Sequence, residues 1–255
     1  MLTAVQQERY ARHLILEGVG EEGQEKLLAG RVLVIGAGGL GSPVLFYLVA
    51  AGVGTVGIAD GDLVELSNLQ RQIIHTTAAV GTPKVASAAA SLQALNPDVT
   101  LVTHNLRVTA ENIMALIAGY DFVIDATDNF ESKFLINDAC VLAGKSYSHG
   151  GILRFRGQTT TICPGDTACY RCIFPEAPES EVALACSRAG VLGVLPGIIG
   201  TIQATEAIKY ILGEGKLLAG RLLTYDSHGL TFREVTLRRN PGCPLCGEAP
   251  TISAL

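Results

Sequence analysis

Gly36-Ala37-Gly38-Gly39-Leu40-Gly41 is the first place where residue types and spacing suggest chemistry. The run fits G-x-G-x-x-G, follows the apolar stretch 31–35 and opens a helical stretch. Gly36, Gly38, Gly39 and Gly41 therefore let backbone N–H groups approach phosphate oxygens. Asp60 stands 19 positions beyond Gly41, where a second strand should end, and a carboxylate there accepts hydrogen bonds from ribose hydroxyls. On these two features alone, an NAD-dependent oxidoreductase is as well supported as any other nucleotide binder.

A denser group of polar residues follows. Asp62, Ser67, Asn68, Gln70 and Arg71 come soon after Asp60, and Lys84 opens the next helical stretch. Hydride transfer has little use for so many donors beyond the pyrophosphate. Attack at the α-phosphorus of a triphosphate does, because negative charge grows on the phosphate oxygens and pre-oriented Arg and Lys stabilise it. Asp128 and Asn129 fall just past the stretch 122–124, at the carboxyl edge where open sheets bind ligands, and a hard carboxylate there suits Mg²⁺. The plainer alternatives make Asn68 and Gln70 ordinary loop residues, Lys84 a surface charge at a helix start, and Asp128 the N-cap of the helix that follows.

Four of the seven cysteines form two Cys-x-x-Cys pairs, Cys169/Cys172 and Cys243/Cys246. The pairs are 71 positions apart, too far for one compact ribbon but suited to two knuckles brought together by the fold. Four thiolates favour a closed tetrahedral Zn²⁺ site, which is structural and staples the C-terminal tail to the domain. Cys186, near Arg188 and ahead of a helical stretch, is a candidate nucleophile of lowered pKa. Cys140 reads as a small core residue, Cys163 has no functional reading, and His13 and His75 read as structural or surface histidines.

The elements that must position these residues alternate. Helical spacing predicts an arm over 5–16, with Val5, Tyr10, Leu14 and Ile15 on one face, and a second short helix over 21–29. Strands are predicted at 31–35, 55–59, 99–104, 122–124 and 146–149, separated by helices at 42–51, 82–95, 109–118 and 130–143. Alternation of this kind implies a mostly parallel, Rossmann-like α/β sheet. Beyond Gly150, β-rich runs at 157–162, 221–226 and 231–237 predict antiparallel strands extending it, around a long helix over 193–212. The expected organisation is one domain over 1–255: a helical arm (1–30), a nucleotide-binding half (31–150), and a half that carries the antiparallel strands, the long helix and the zinc cysteines (151–255).

Bulk properties narrow the partners. Hydrophobic residues are 48% and charged residues 17% of the chain, and no stretch of eighteen apolar residues runs without glycine or polar interruption, so a soluble globular protein is expected. The net charge of −5 and the lack of any Lys/Arg block longer than two exclude a phosphate-backbone surface, so nucleic acid is not an expected partner. The polar N-terminus lacks a secretory layout, and the cytoplasm is the expected compartment.

The sequence resembles the ThiF/MoeB/HesA family, bacterial relatives of ubiquitin-activating enzymes. The resemblance is carried by Gly36 to Gly41, Asp60-Gly61-Asp62, Leu66 to Gln72, Lys84, Asp125 to Asn129, Cys169-Tyr170-Arg171-Cys172 and Asn240 to Cys246. It implies an ATP-dependent adenylyltransferase that activates the C-terminal Gly-Gly carboxylate of a ubiquitin-like sulfur-carrier protein, in molybdopterin or thiamin thiazole biosynthesis. It also implies that Gly39, Asp60, Asn68, Arg71 and Lys84 contact ATP, that Asp128 serves Mg²⁺ and the reaction, and that Arg12 reaches the neighbouring subunit's site in a homodimer. The same zinc is implied. In some related enzymes the cysteine equivalent to Cys186 joins covalently to the carrier, and in others it is dispensable. Family members commonly read Arg-Gln where this chain has Arg12-His13, and a cysteine at Ala126; neither change removes a charge the chemistry needs. No rhodanese-like stretch follows the last cysteines, so a separate sulfur-donor protein is expected. Besides the oxidoreductase, the competing readings are a non-catalytic scaffold for a ubiquitin-like protein and a tRNA-modifying dehydratase, the latter opposed by the tetracysteine set.

Overall fold

Short apolar runs form the centre of the sheet, as strands covered on both faces require. The computed structural model describes residues 1–178 and 189–255. Strands β1 (Arg31–Ile35), β2 (Thr55–Ala59), β3 (Thr100–His104), β4 (Phe122–Asp125) and β5 (Tyr147–Leu153) pair in parallel. β6 (Arg156–Ile162), β7 (Arg221–Asp226) and β8 (Thr231–Thr236) continue antiparallel, and the order β3-β2-β1-β4-β5-β6-β7-β8 makes one sheet. The expected parallel sheet with an antiparallel extension is what forms.

Helices α1 (Ala4–Arg9), α2 (Ala11–Leu14), α3 (Gly20–Ala29), α4 (Gly41–Ala50), α5 (Lys84–Leu95), α6 (Ile113–Ala118), α7 (Phe130–Leu142), α8 (Tyr170–Ile173) and α9 (Leu195–Leu212) are the described α-helices. Val34, Ile58 and Ile124 on one sheet face pack with Leu45 and Leu48 of α4, Leu92 of α5 and Ile199 of α9. Leu33, Ile35 and Val123 on the other face pack with α6, α7 and the cysteine knuckles. Burying each of these aliphatic side chains contributes about 1.5–3 kcal/mol, so the sheet that carries the site is also the centre of stability. Among the described residues, no helix is long and apolar enough to cross a membrane.

Two local expectations are corrected. The arm is two helices broken at Tyr10, because the Tyr10 ring is buried against Gly52 and its hydroxyl accepts from Asn96 Nδ2 at 2.9 Å. Val5 and Ile15, expected on one helical face with Tyr10, are 62% and 76% exposed where Tyr10 is buried. The helix expected from 109 begins at Ile113, because the Asn112 side chain accepts the Thr109 N–H at 2.9 Å and holds that segment in a turn.

Candidate active site at the carboxyl edge of the sheet

The chain runs from β1 outward to β3 and then crosses to β4, so strand order reverses between β1 and β4. Ligands bind at such a point, outside the carboxyl ends of the strands. The glycine loop follows β1, Asp60 follows β2, and Asp128 follows β4. The loop closes tightly: a Cβ on Gly41 would lie 1.9 Å from the Gly36 carbonyl oxygen, and Gly36 itself has φ +104° with Ala126 O 2.6 Å from where its Cβ would stand. His75 pins the loop from below, its Nε2 2.9 Å from Ala37 O and its Nδ1 2.9 Å from Ser87 Oγ. The backbone N–H groups of Gly38, Gly39 and Leu40 have no acceptor among the described residues. Orphan donors at the start of α4 are what a phosphate group requires.

Asp60 is held rigidly, with Oδ2 accepting the Ala37 N–H and Oδ1 the Asp62 N–H, each at 2.8 Å. A carboxylate has further lone pairs, so Asp60 can still accept a hydroxyl. Lys84 is nearly buried, with Nζ 2.9 Å from Asp62 Oδ2 and 3.9 Å from Asp60 Oδ2. It is thus not the surface charge of the plainer alternative. A short 3₁₀ turn, Leu66–Asn68, starts the next group. Asn68 Oδ1 accepts from Gln72 Nε2 at 2.7 Å and from Arg71 at 3.4 Å, and Asn68 Nδ2 reaches Ser67 Oγ at 3.1 Å. Arg71 Cγ lies 3.5 Å from where a Gly39 side chain would begin, so the guanidinium stem borders the glycine loop. Gln70 turns instead toward Gly193, ahead of α9.

After β4, the Asn129 side chain accepts the Ser132 N–H at 2.9 Å and caps α7. The cap reading of Asp128 is corrected. Asp128 is exposed and makes no hydrogen bond or ion pair among the described residues, which leaves its carboxylate available to a hard cation. It lines a cleft of about 870 Å³ with Phe130, His149, Tyr170, Arg156 and Arg233.

Sequence reasoning missed the group beneath this cleft. Asp125 is fully buried and accepts from His149 Nδ1 at 2.8 Å, Lys133 Nζ at 3.1 Å, and the Thr127 N–H at 3.0 Å. Burial alone raises its pKa; Lys133, His149 and Thr127 outweigh that and hold the carboxyl well below the usual range. Lys133 also donates to Gly150 O at 2.6 Å. The signal was present in spacing, since 133, 136, 137 and 140 form one helical stripe and all four are buried.

Two placements differ in kind. Arg12 is exposed on α2 and is not brought to this site within the chain. Cys186 lies outside the described residues. The four predicted metal ligands converge: the Sγ atoms of Cys169, Cys172, Cys243 and Cys246 all lie within 4.8 Å of one another. Three of their separations, 3.4, 3.6 and 4.0 Å, bracket the edge of about 3.8 Å that a tetrahedron of 2.3 Å Zn–S bonds requires. The donor set therefore fits Zn²⁺. Arg171 between the first pair grips Asp138 of α7 through two 2.7 Å bonds, and the Asn240 N–H points at Cys172 Sγ at 3.4 Å.

Residues 10–245 match the ThiF family. The chain belongs to the ThiF family. Among its relatives, the SAMP-activating enzyme E1 of Haloferax volcanii is 53% identical over 97% of this chain and 91% of its own. The sulfur carrier protein adenylyltransferase of Thermus thermophilus is 50% identical over 96% of this chain and 92% of its own. Among solved structures, E. coli MccB crystallised with AMPCPP and MccA superposes with a TM-score of 0.84 over 95% of this chain and 75% of that one, at 23% identity. That likeness establishes the shared fold. The glycine loop of this ThiF-family chain is therefore read with the charged cluster around it rather than as a dehydrogenase fingerprint.

Proposed function

We propose that this chain uses ATP to adenylate the C-terminal Gly-Gly carboxylate of a ubiquitin-like sulfur-carrier protein. The observation that carries the reading is the set of orphan N–H groups at Gly38 and Gly39, bordered by Arg71, which Asn68 holds, and flanked by the rigid Asp60 with Lys84 beside it. The names of two relatives at half identity over nearly the whole chain support it.

ATP lies with its phosphates over the glycine loop and its ribose toward Asp60. The carrier tail enters the cleft lined by His149, Gly151 and Tyr170, and its carboxylate attacks the α-phosphorus, giving the acyl-adenylate and pyrophosphate. Arg71 and Lys84, with the partner subunit's Arg12, stabilise charge on the phosphate oxygens, so the catalysis is positioning and electrostatics rather than proton transfer. For this, Lys84 leaves Asp62 for a phosphate oxygen. Asp128 would hold Mg²⁺, which would supply further positive charge there. The tetracysteine site holds Zn²⁺ and ties the C-terminal segment to α7. Leu153 and Phe155, about two-fifths exposed beside the cleft, with Phe232 on β8, offer the carrier an apolar surface in the 151–255 half. The activated acyl group then passes to a sulfur donor, a separate protein, in the cytoplasm.

The test is ATP–pyrophosphate exchange by the purified protein with each candidate Gly-Gly carrier, followed by intact mass for adenylate, thiocarboxylate or an adduct at Cys186. Carrier-dependent exchange, lost in Lys84→Ala and Arg71→Ala, is the expected result. Exchange with no carrier, or hydride transfer from NAD, overturns the reading.

A further inference from the structure

Five buried side-chain atoms lack a hydrogen-bond partner among the described residues, and only one of them, His149 Nε2, belongs to a residue of the cleft wall. The His149 side chain is 2% exposed, its ring lies 4.7 Å from the Tyr170 ring, and its Nδ1 is fixed 2.8 Å from the Asp125 carboxylate. Asp125 already carries the Lys133 ammonium, so a second buried cation beside it is disfavoured and the imidazole stays neutral. With Nδ1–H donating to Asp125, Nε2 presents a lone pair. A Cβ on Gly151 would stand 3.6 Å from that nitrogen, so any side chain at 151 would pack directly against it. Thr127 donates to the same Asp125 carboxylate through its N–H at 3.0 Å, which places His149 one shared hydrogen-bond acceptor away from the segment bearing Asp128.

An unmet acceptor in the wall of a cleft selects a donor. An extended glycyl tail has only one kind, its backbone N–H groups. We propose that His149 Nε2 accepts an amide N–H from one of the last two residues of the carrier tail and so sets the register of the terminal carboxylate against Asp128. This deepens the carrier reading above and rests on it. His149 is a positioning residue here, and its effect falls on recognition of the tail rather than on ATP.

The experiment uses the full-length protein and a carrier that supports exchange, prepared by semisynthesis with either the last or the penultimate amide replaced by an ester, which removes one N–H at a time. With the wild-type protein, one of the two ester tails should raise the carrier KM about tenfold, the loss expected when a buried acceptor goes unmet, while the KM for ATP stays the same. In His149→Phe the amide and ester tails should be used equally, and His149→Gln, which restores an acceptor, should regain part of the discrimination. A wild-type protein indifferent to both esters overturns the inference, as does a folded His149→Phe that discriminates as the wild type does. If the variants fail to fold, the ¹⁵N resonance of His149 Nε2 in the wild-type protein gives the answer. It should move on adding the amide-tailed carrier and not the discriminated ester; no movement overturns the inference. Absence of exchange with every carrier removes the carrier reading and this inference with it, whereas exchange without tail discrimination removes this inference alone.

Discussion

Asn129 caps α7 through the Ser132 N–H at 2.9 Å, and the adjacent Asp128 carboxylate faces the cleft without a partner among the described residues. Two neighbouring side chains that look interchangeable in sequence therefore carry separate duties. Asp128→Asn should lower exchange about a hundredfold, the scale of losing one pre-oriented charged group, with little change in melting temperature. Asn129→Ala should act chiefly on stability, costing about 1 kcal/mol. Thermal melts and initial exchange rates on the two variants separate these outcomes, and a fully active Asp128→Asn removes Asp128 from the reaction.

Lys133 neutralises a fully buried carboxylate, so its loss leaves Asp125 charged and under-partnered. Lys133→Met should destabilise the fold by about 3–5 kcal/mol, a larger effect than any exposed ion pair of this chain can produce. Urea unfolding monitored by circular dichroism measures it. A midpoint equal to wild type means that His149 and Thr127 suffice for Asp125.

The tetracysteine site should hold one Zn²⁺ per chain by native mass spectrometry. Cys246→Ser should lower the melting temperature and expose the tail to protease, because the knuckles connect the 240–246 segment to α8 and, through Arg171 and Asp138, to α7. Since Cys169 and Cys243 pack with Phe134, Cys140 and Tyr170, a strong chelator should loosen that sheet face first. Hydrogen exchange in α7 faster than in α4 after chelation is the expected pattern, and unchanged α7 protection contradicts it.

His75, His104 and His149 are each held below the ordinary imidazole value, burial being the leading cause in every case. The unfolded chain then binds protons that the folded chain refuses, so stability is greatest above about pH 6.5 and declines as pH falls below it. Melting temperatures should drop between pH 7.5 and pH 5.5, and His75→Gln, which can still donate to Ala37 O, should show a shallower drop. A flat profile means that the three histidines titrate alike in both states.

How much of this was legible in sequence depends on the range of the interaction. Strands β1, β2 and β4 were readable because a doubly covered strand is a continuous apolar run, and the glycine loop because its spacing is local. The break at Tyr10 was not, since it depends on Asn96, 86 residues away. His149 gave no signal in a β-rich run, because its meaning lies in Asp125, 24 residues earlier, and in a cleft that exists only once β5, β6 and β7 are paired. Asp125 itself was visible in the Asp125-Ala126-Thr127-Asp128-Asn129 motif, but nothing local distinguishes a carboxylate that must be buried and paired from one that must face the ligand.

Arg12 tests the oligomer. Tyr10, two residues before it, packs on Gly52 and Asn96, which follow the C-terminal ends of α4 and α5. Both helices begin at the glycine-loop edge, and twelve residues of α5 span roughly 18 Å, so Arg12 sits near the opposite edge from its own nucleotide site. If it acts, it acts on a neighbour. Arg12→Ala and Lys84→Ala should each be close to inactive alone. In a two-fold dimer, a hybrid of the two has one site with intact Lys84 served by an intact Arg12, and one site lacking both. Random mixing after co-refolding makes about half the dimers hybrid, so the mixture should regain about a quarter of wild-type exchange by this symmetry argument. An arginine acting within its own subunit yields no recovery, because every site in the hybrid then carries one lesion.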